Sequence, residues 1–351
     1  MDYLPEKDAP PAKAGSLPPP LPTGAGEAAG SRRIIEGLVW AALFLLCAFT
    51  ANRAPLLSLA GFVLFPVPLV MLVIRSGLKI SLLFLACALA LSAVIFSPLT
   101  TLQILLLHGV LGLSMGYLMR RSLPPLLTLS CSAALAALGL GTALLIRLSA
   151  AGYTLATLPA AMQASLEEYI ALAGNAGYDI TATTGVNAAD FAADLLNKGL
   201  NILPAAVILA ALTLSGLCLL IARLALKRLR QPLPPLQPFR QWHLNRLPAI
   251  VGLAGLLFLI YGQSNVPFLY ISGLNIVYVL LPFIFIAGMA VIAWLFSLWQ
   301  GKKWLKILLV VAALLWLWRF VLIAVAVSGL MDMLLDIRQQ YTKRKRQGLN
   351  H

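Results

Sequence analysis

Ionisable side chains surrounded by apolar sequence are costly to keep, so they are the first places to look for chemistry. His108 lies in the middle of the apolar stretch 103–116. An imidazole there could bond a ligand or relay a proton, and it could equally hydrogen-bond a neighbouring helix. Arg319 stands thirteen residues from its nearest ionisable neighbours, Lys306 and Asp332. Its guanidinium needs a phosphate partner or a route to the membrane surface, which a long side chain finds by snorkelling. Asp332 and Asp336 sit one helical turn apart just before Arg338, a spacing that suits a cation site or a helix end closed by local ion pairs. Glu36 is a turn away from Arg32 and Arg33 and reads as an interfacial salt bridge. Gly112 and Gly116 make a GxxxG spacing that lets another backbone come close, so they read as packing.

The four cysteines, Cys47, Cys87, Cys131 and Cys218, all fall inside apolar stretches, with no CxxC pair and no histidine at ligand spacing, so they read as buried thiols. No phosphate-binding loop, nucleophile elbow, HExxH helix or dinucleotide fingerprint occurs. The expectation is a protein without catalytic residues, metal or cofactor, and hence not an enzyme.

The elements that must position these groups follow from composition. Of 351 residues, 60% are hydrophobic and 11% charged, against roughly 25% charged in soluble domains. Such a chain cannot cover itself with polar surface, so the lipid bilayer is its solvent. The formal charge of +14 would suit nucleic acid, but Arg and Lys gather at the ends of apolar runs instead of interleaving with aromatics on a polar face. That distribution is the positive-inside pattern and excludes nucleic acid as a partner.

Apolar runs with basic flanks predict spans at 37–51, 55–74, 80–96, 100–118, 124–146 and 202–222, which places the N-terminus in the cytoplasm. Residues 1–31, rich in Pro, Gly and Ala, form a disordered cytoplasmic tail ahead of this six-span domain, 32–230. Residues 148–200 carry Glu167, Glu168, Asp179, Asp190 and Asp194 and read as an extracytoplasmic loop, with amphipathic helices at 158–172 and 186–196. A Pro-rich cytoplasmic loop follows at 231–246, then a membrane extension at 247–331 with apolar stretches 247–261, 271–298 and 307–329, then a basic tail at 332–351. Nine spans would leave Lys343, Arg344, Lys345 and Arg346 outside, against the charge rule. The expectation is an inside tail, with the long stretch 266–299 divided at Pro282 to restore the count.

Residues 33–37 (RIIEG), 65–77 (FPVPLVMLVIRSG), 109–121 (GVLGLSMGYLMRR), 238–242 (PFRQW) and 329–338 (GLMDMLLDIR) together resemble the YybS-like family of uncharacterised bacterial membrane proteins. That family is distantly similar, over its first six spans, to the substrate-capture S components of energy-coupling-factor vitamin transporters. The resemblance implies an all-α polytopic protein of the bacterial inner membrane, with a six-helix S-component-like bundle plus two or three C-terminal transmembrane helices. It also implies docking of a membrane coupling subunit on small residues of the first helix, here Gly37 and Ala41, and a substrate held under the covering loop; it carries over no substrate-reading residue, and His108 is a candidate contact from its place within the span. The expected function is a small-molecule-binding membrane subunit of a vitamin or cofactor uptake system. The alternative is a membrane scaffold or regulatory interaction protein with no transported substrate, which would meet a cytoplasmic protein or anionic lipid through the Pro-rich loop, with Arg240 and Trp242 as docking residues.

Overall fold

The computed structural model describes residues 27–53, 57–154, 156–175, 187–229, 238–299, 301, 302, 304, 308 and 316–341. These residues are all-α. In chain order the helices are α1 (Glu27–Arg53), α2 (Ser58–Leu64), α3 (Pro66–Ser76), α4 (Leu78–Ile95), α5 (Pro98–Gln103), α6 (Val110–Arg120), α7 (Pro125–Ala150), α8 (Leu158–Asn175), α9 (Ala188–Arg228), α10 (Leu247–Asn265), α11 (Pro267–Leu298) and α12 (Trp318–Leu335). A π-helical turn, Ile104–Gly109, joins α5 to α6. Proline opens α3, α5, α7, α10 and α11 in the first two positions, where its missing N–H would find no helical acceptor anyway. Among the described residues eight helical segments are long and apolar enough to cross a membrane, and α1 adds the shorter apolar stretch Gly37–Ala51.

Two packed units result. In the first, Met71, Leu111, Met115, Ala136, Cys218 and Leu226 join α3, α6, α7 and α9 in one core. Phe44, Phe65, Leu69, Leu85 and Ile104 join α1 to α3, α4 and the π turn in a second. Bare Cα atoms set the closest approaches: Gly112 and Gly116 of α6 lie against Leu69 and Val73 of α3, so the GxxxG pair is packing. Gly139 of α7 receives the Leu106 carbonyl from the π turn, where the extra residue per turn pushes that carbonyl outward. In the second unit α10 and α11 form a hairpin, with Gly255 against Gly273 and Ile276 and Gly262 against Tyr270, and α12 crosses α11 where Gly288 meets Gly329.

The units meet through α9 and α11. Asn275 of α11 enters the α9 ladder beside Pro204: its Oδ1 accepts from the Ala205 N–H at 2.8 Å and its Nδ2 donates to the Asn201 carbonyl at 2.7 Å. Residues 201 and 205 are the pair that an unbroken helix would bond to each other. The carboxamide thus acts as a splint at the turn that proline weakens.

Several expectations are corrected. Residues 266–299 are not divided at Pro282: α11 is one helix of 32 residues running through it. Proline removes one ladder bond, and flanking turns packed on α10 and α12 keep the helix continuous. The segment 187–196 is not a separate amphipathic helix; from Ala188 it is the first part of the 41-residue α9. The span expected at 307–329 is interrupted at Leu317, which leaves the helical region (φ −126°, ψ 25°), and α12 runs on to Leu335. Residues 309–315 lie outside the described residues, as do 1–26, the part of the 231–246 loop before Pro238, and the basic run 343–346.

Side-chain pairs fix where the three C-terminal helices end. Asp336 after α12 pairs with Arg246 before α10, so α12 ends where α10 begins. Because α11 folds back on α10, it too ends on that side, and its Trp294 packs on Tyr341 at 5.4 Å. Helices α11 and α12 therefore end on the same face, and the start of α12 lies about 27 Å away, the length of 18 residues at 1.5 Å each. The start of α12 and the end of α11 thus lie at opposite ends of the unit, and the end of α12 lies beside the 238–246 loop.

Candidate functional site

The best-defined polar site is built where residues 238–246 meet the end of α12. Pro238 starts a 3₁₀ turn, Phe239–Gln241, closed by bonds from Gln241 N–H to the Pro238 carbonyl (2.8 Å) and from Trp242 N–H to the Phe239 carbonyl (3.0 Å). So short a turn leaves the carbonyls of Arg240 and Trp242 without helical donors. Arg338 supplies them: its Nη1 donates to the Arg240 carbonyl at 2.9 Å and its Nη2 to the Trp242 carbonyl at 2.7 Å. The same guanidinium is neutralised by Asp332, with Nε and Nη2 donating to Oδ2 at 3.0 and 2.7 Å. Asp332 is 1% exposed and the Arg338 side chain 8%.

The chain reverses for this contact at Asp336, which ends α12 in the left-handed region at φ 50°. Aspartate is among the few side chains that tolerate that conformation. Its carboxylate takes the Arg246 guanidinium at 2.8 Å on Oδ2. His243 Nε2 lies 2.9 Å from Oδ1, at the distance of an ion pair when the ring carries a proton on each nitrogen. The Arg246 bond is the main reason the Asp336 carboxyl is held below the ordinary carboxylate range, with partial burial opposing and the charges of Arg246 and His243 reinforcing it. Two motifs singled out separately in the sequence, 238–242 and 329–338, are thus one structure. Asp332 forms a local ion pair with Arg338 at the helix end, whereas Asp336 pairs across the fold with Arg246. The parts of His243 and Arg246 were not anticipated; the signal was their place between Trp242 and the start of α10, opposite a paired Asp332 and Asp336.

The other candidates lie elsewhere. His108 is buried in the π turn, stacked on Phe65 at 4.3 Å and met edge-on by Phe62 at 4.8 Å, and neither ring nitrogen has a hydrogen-bond partner. Gly37 is buried with its bare Cα against the Phe84 ring of α4. Ala41 borders a cavity of about 10 Å³ with Trp40, Phe44, Leu69 and Phe84. Arg319 is exposed and lies over the neighbouring Trp318 ring at 5.3 Å. The side chains of Glu36, Arg32 and Arg33 lie outside the described residues. Among the described residues the four cysteines are unpaired thiols, but of the four expected to be buried only Cys218 is; Cys47 is half-buried, and Cys87 and Cys131 lie exposed on apolar helix faces. Among the same residues no group of three or more His, Cys, Asp or Glu is placed to hold a metal ion.

An all-helical chain of this hydropathy, with eight segments fit to cross a bilayer and a polar clamp at one end, is a polytopic integral membrane protein. It belongs to the family described as a predicted membrane protein (DUF2232), whose model matches residues 40–333. No curated protein and no solved structure matches it.

Proposed function

We propose that this chain is a non-enzymatic, multi-pass protein of the bacterial cytoplasmic membrane, with its N-terminus inside, that acts as an interaction or regulatory scaffold through residues 238–246. The observation that carries this reading is the Arg338–Asp332 pair closed on the carbonyls of Arg240 and Trp242. A buried ion pair adds little net stability over apolar packing of the same volume. What it supplies here is shape. It fixes a loop whose own side chains, Phe239, Arg240, Gln241 and Trp242, are exposed, and a rigid exposed surface loses less entropy when something binds to it.

The second reading, a small-molecule-binding subunit similar to an S component, is favoured by the unpartnered imidazole of His108. Against it, the apolar cavity beside Ala41 has room for about one water molecule, whereas cofactor-sized ligands fill roughly 300 Å³ or more. A photo-crosslinking residue at position 239, activated in native membranes, tests between them. The scaffold reading expects a defined adduct. No adduct, together with thermal stabilisation of the purified protein by a member of a vitamin and nucleobase library, would establish the carrier instead.

A further inference from the structure

We infer that the occupant of the clamped loop is an anionic phospholipid, its headgroup on Phe239, Arg240 and Trp242 and its chains along α10. This rests on the scaffold reading and narrows it to one partner. The Phe239 and Trp242 rings are 5.4 Å apart, each about two-fifths exposed, and Arg240 stands between them in the 3₁₀ turn with its side chain exposed. Aromatic rings of this kind settle at headgroup depth, and a guanidinium matches the paired oxygens of a phosphate.

Charge around the loop selects an anion. Both carboxylates of the cluster are taken, Asp332 by Arg338 and Asp336 by Arg246, so the positive charge of Arg240 is left uncompensated by them. The surface beneath selects a lipid over an acidic protein. Leu247, Ile250 and Leu257 are each more than half exposed, at helical spacing, and form an apolar stripe that starts at the loop and runs along α10 away from it. A phosphate above an apolar stripe that faces the bilayer is the arrangement of a phospholipid; an acidic peptide would satisfy Arg240 and leave the stripe uncovered.

The experiment uses the full chain. A photo-crosslinking residue replaces Gln241, exposed within the turn, and adducts formed in native membranes are separated by mass. In parallel the purified protein is titrated with mixed micelles of phosphatidylglycerol or of phosphatidylcholine. The expected results are a phospholipid adduct and a rise in Tm with phosphatidylglycerol only, weakened by salt and lost in Arg240→Gln and Trp242→Ala. Equal shifts with the two lipids, or an undiminished shift in both variants, would overturn the lipid assignment. An adduct to protein alone would overturn it too while leaving the scaffold reading in place, and no adduct of either kind would remove both.

Discussion

The side chains of Arg338 and Asp332 meet at 2.7 Å with almost no exposure to solvent, and the guanidinium reaches the backbone of residues 96 and 98 positions earlier in the chain. Removing one partner leaves a buried charge uncompensated, a loss of about 3–5 kcal/mol. Asp332→Ala is therefore expected to lower Tm sharply in detergent, more than the double variant Asp332→Leu with Arg338→Met, which removes both charges. The double variant frees the loop carbonyls, and the single one removes the carboxylate that holds the guanidinium against them, so trypsin should cut after Arg240 and Arg246 in either variant faster than in the parent chain. A double variant as unstable as the single one would mean that the charges do more than hold the loop.

Acid should loosen the same loop through Asp336. Its carboxyl is held below the ordinary value, first by the Arg246 hydrogen bond. A carboxyl whose folded value is depressed contributes stability that is complete above the unfolded value near 4 and lost as pH falls through the lower folded one. Tryptic protection, assayed after brief acid exposure and return to neutral pH in the presence of a trap for opened loops, should thus be flat above about 5 and fall below 4. Asn is also at ease in the left-handed conformation, so Asp336→Asn should keep the helix end and abolish the dependence on acid.

How much of this was legible follows from the distances involved. Spans with basic flanks come from local hydropathy, which a sequence displays directly, and the segments 238–242 and 329–338 stood out on their own. Their contact bridges almost a hundred residues, and no local pattern encodes it. The π turn at His108 depends on a bare Cα at Gly139 of another helix. Pro282 misled because a proline's cost is met by the turns around it, whereas α12 begins only after Leu317, a boundary that no glycine or proline marks.

Glycine crossings give a sharp contrast. A methyl added at Gly288 would land on the Val325 carbonyl, a backbone atom that cannot step aside, while one added at Gly141 meets nothing within 4 Å. Gly288→Ala should destabilise by about 1–3 kcal/mol, as overpacking does. Gly141→Ala should be neutral or stabilising by roughly 0.5–1 kcal/mol through lost backbone freedom in the unfolded chain. The Tm values of the two variants in one detergent check this, and equal shifts would deny the close crossing of α11 and α12.

The splint at Pro204 predicts a coupled pair. Asn275→Leu removes both bonds to α9 and leaves the Asn201 carbonyl and Ala205 N–H to each other. The cost should be about 1–2 kcal/mol, the upper part of the range for side-chain hydrogen bonds between membrane helices. In a Pro204→Ala background, where α9 has its own ladder intact, the same change should cost less. A double-mutant cycle with no interaction term would separate Asn275 from the proline.

The sidedness of the C-terminal unit can be read with a thiol reagent that does not cross membranes. The native cysteines sit within apolar helices, so single additions can be followed against them. Gln241 and Gln340 are exposed, one in the clamped turn and the other just beyond Arg338. Tyr153 is exposed after α7, whose first turn follows Arg120 and Arg121 and whose far end lies across the bundle. Gln241→Cys and Gln340→Cys should react from one and the same side, and Tyr153→Cys from the other. If the first two reacted from opposite sides, α11 and α12 could not end together beside the loop that Arg338 holds.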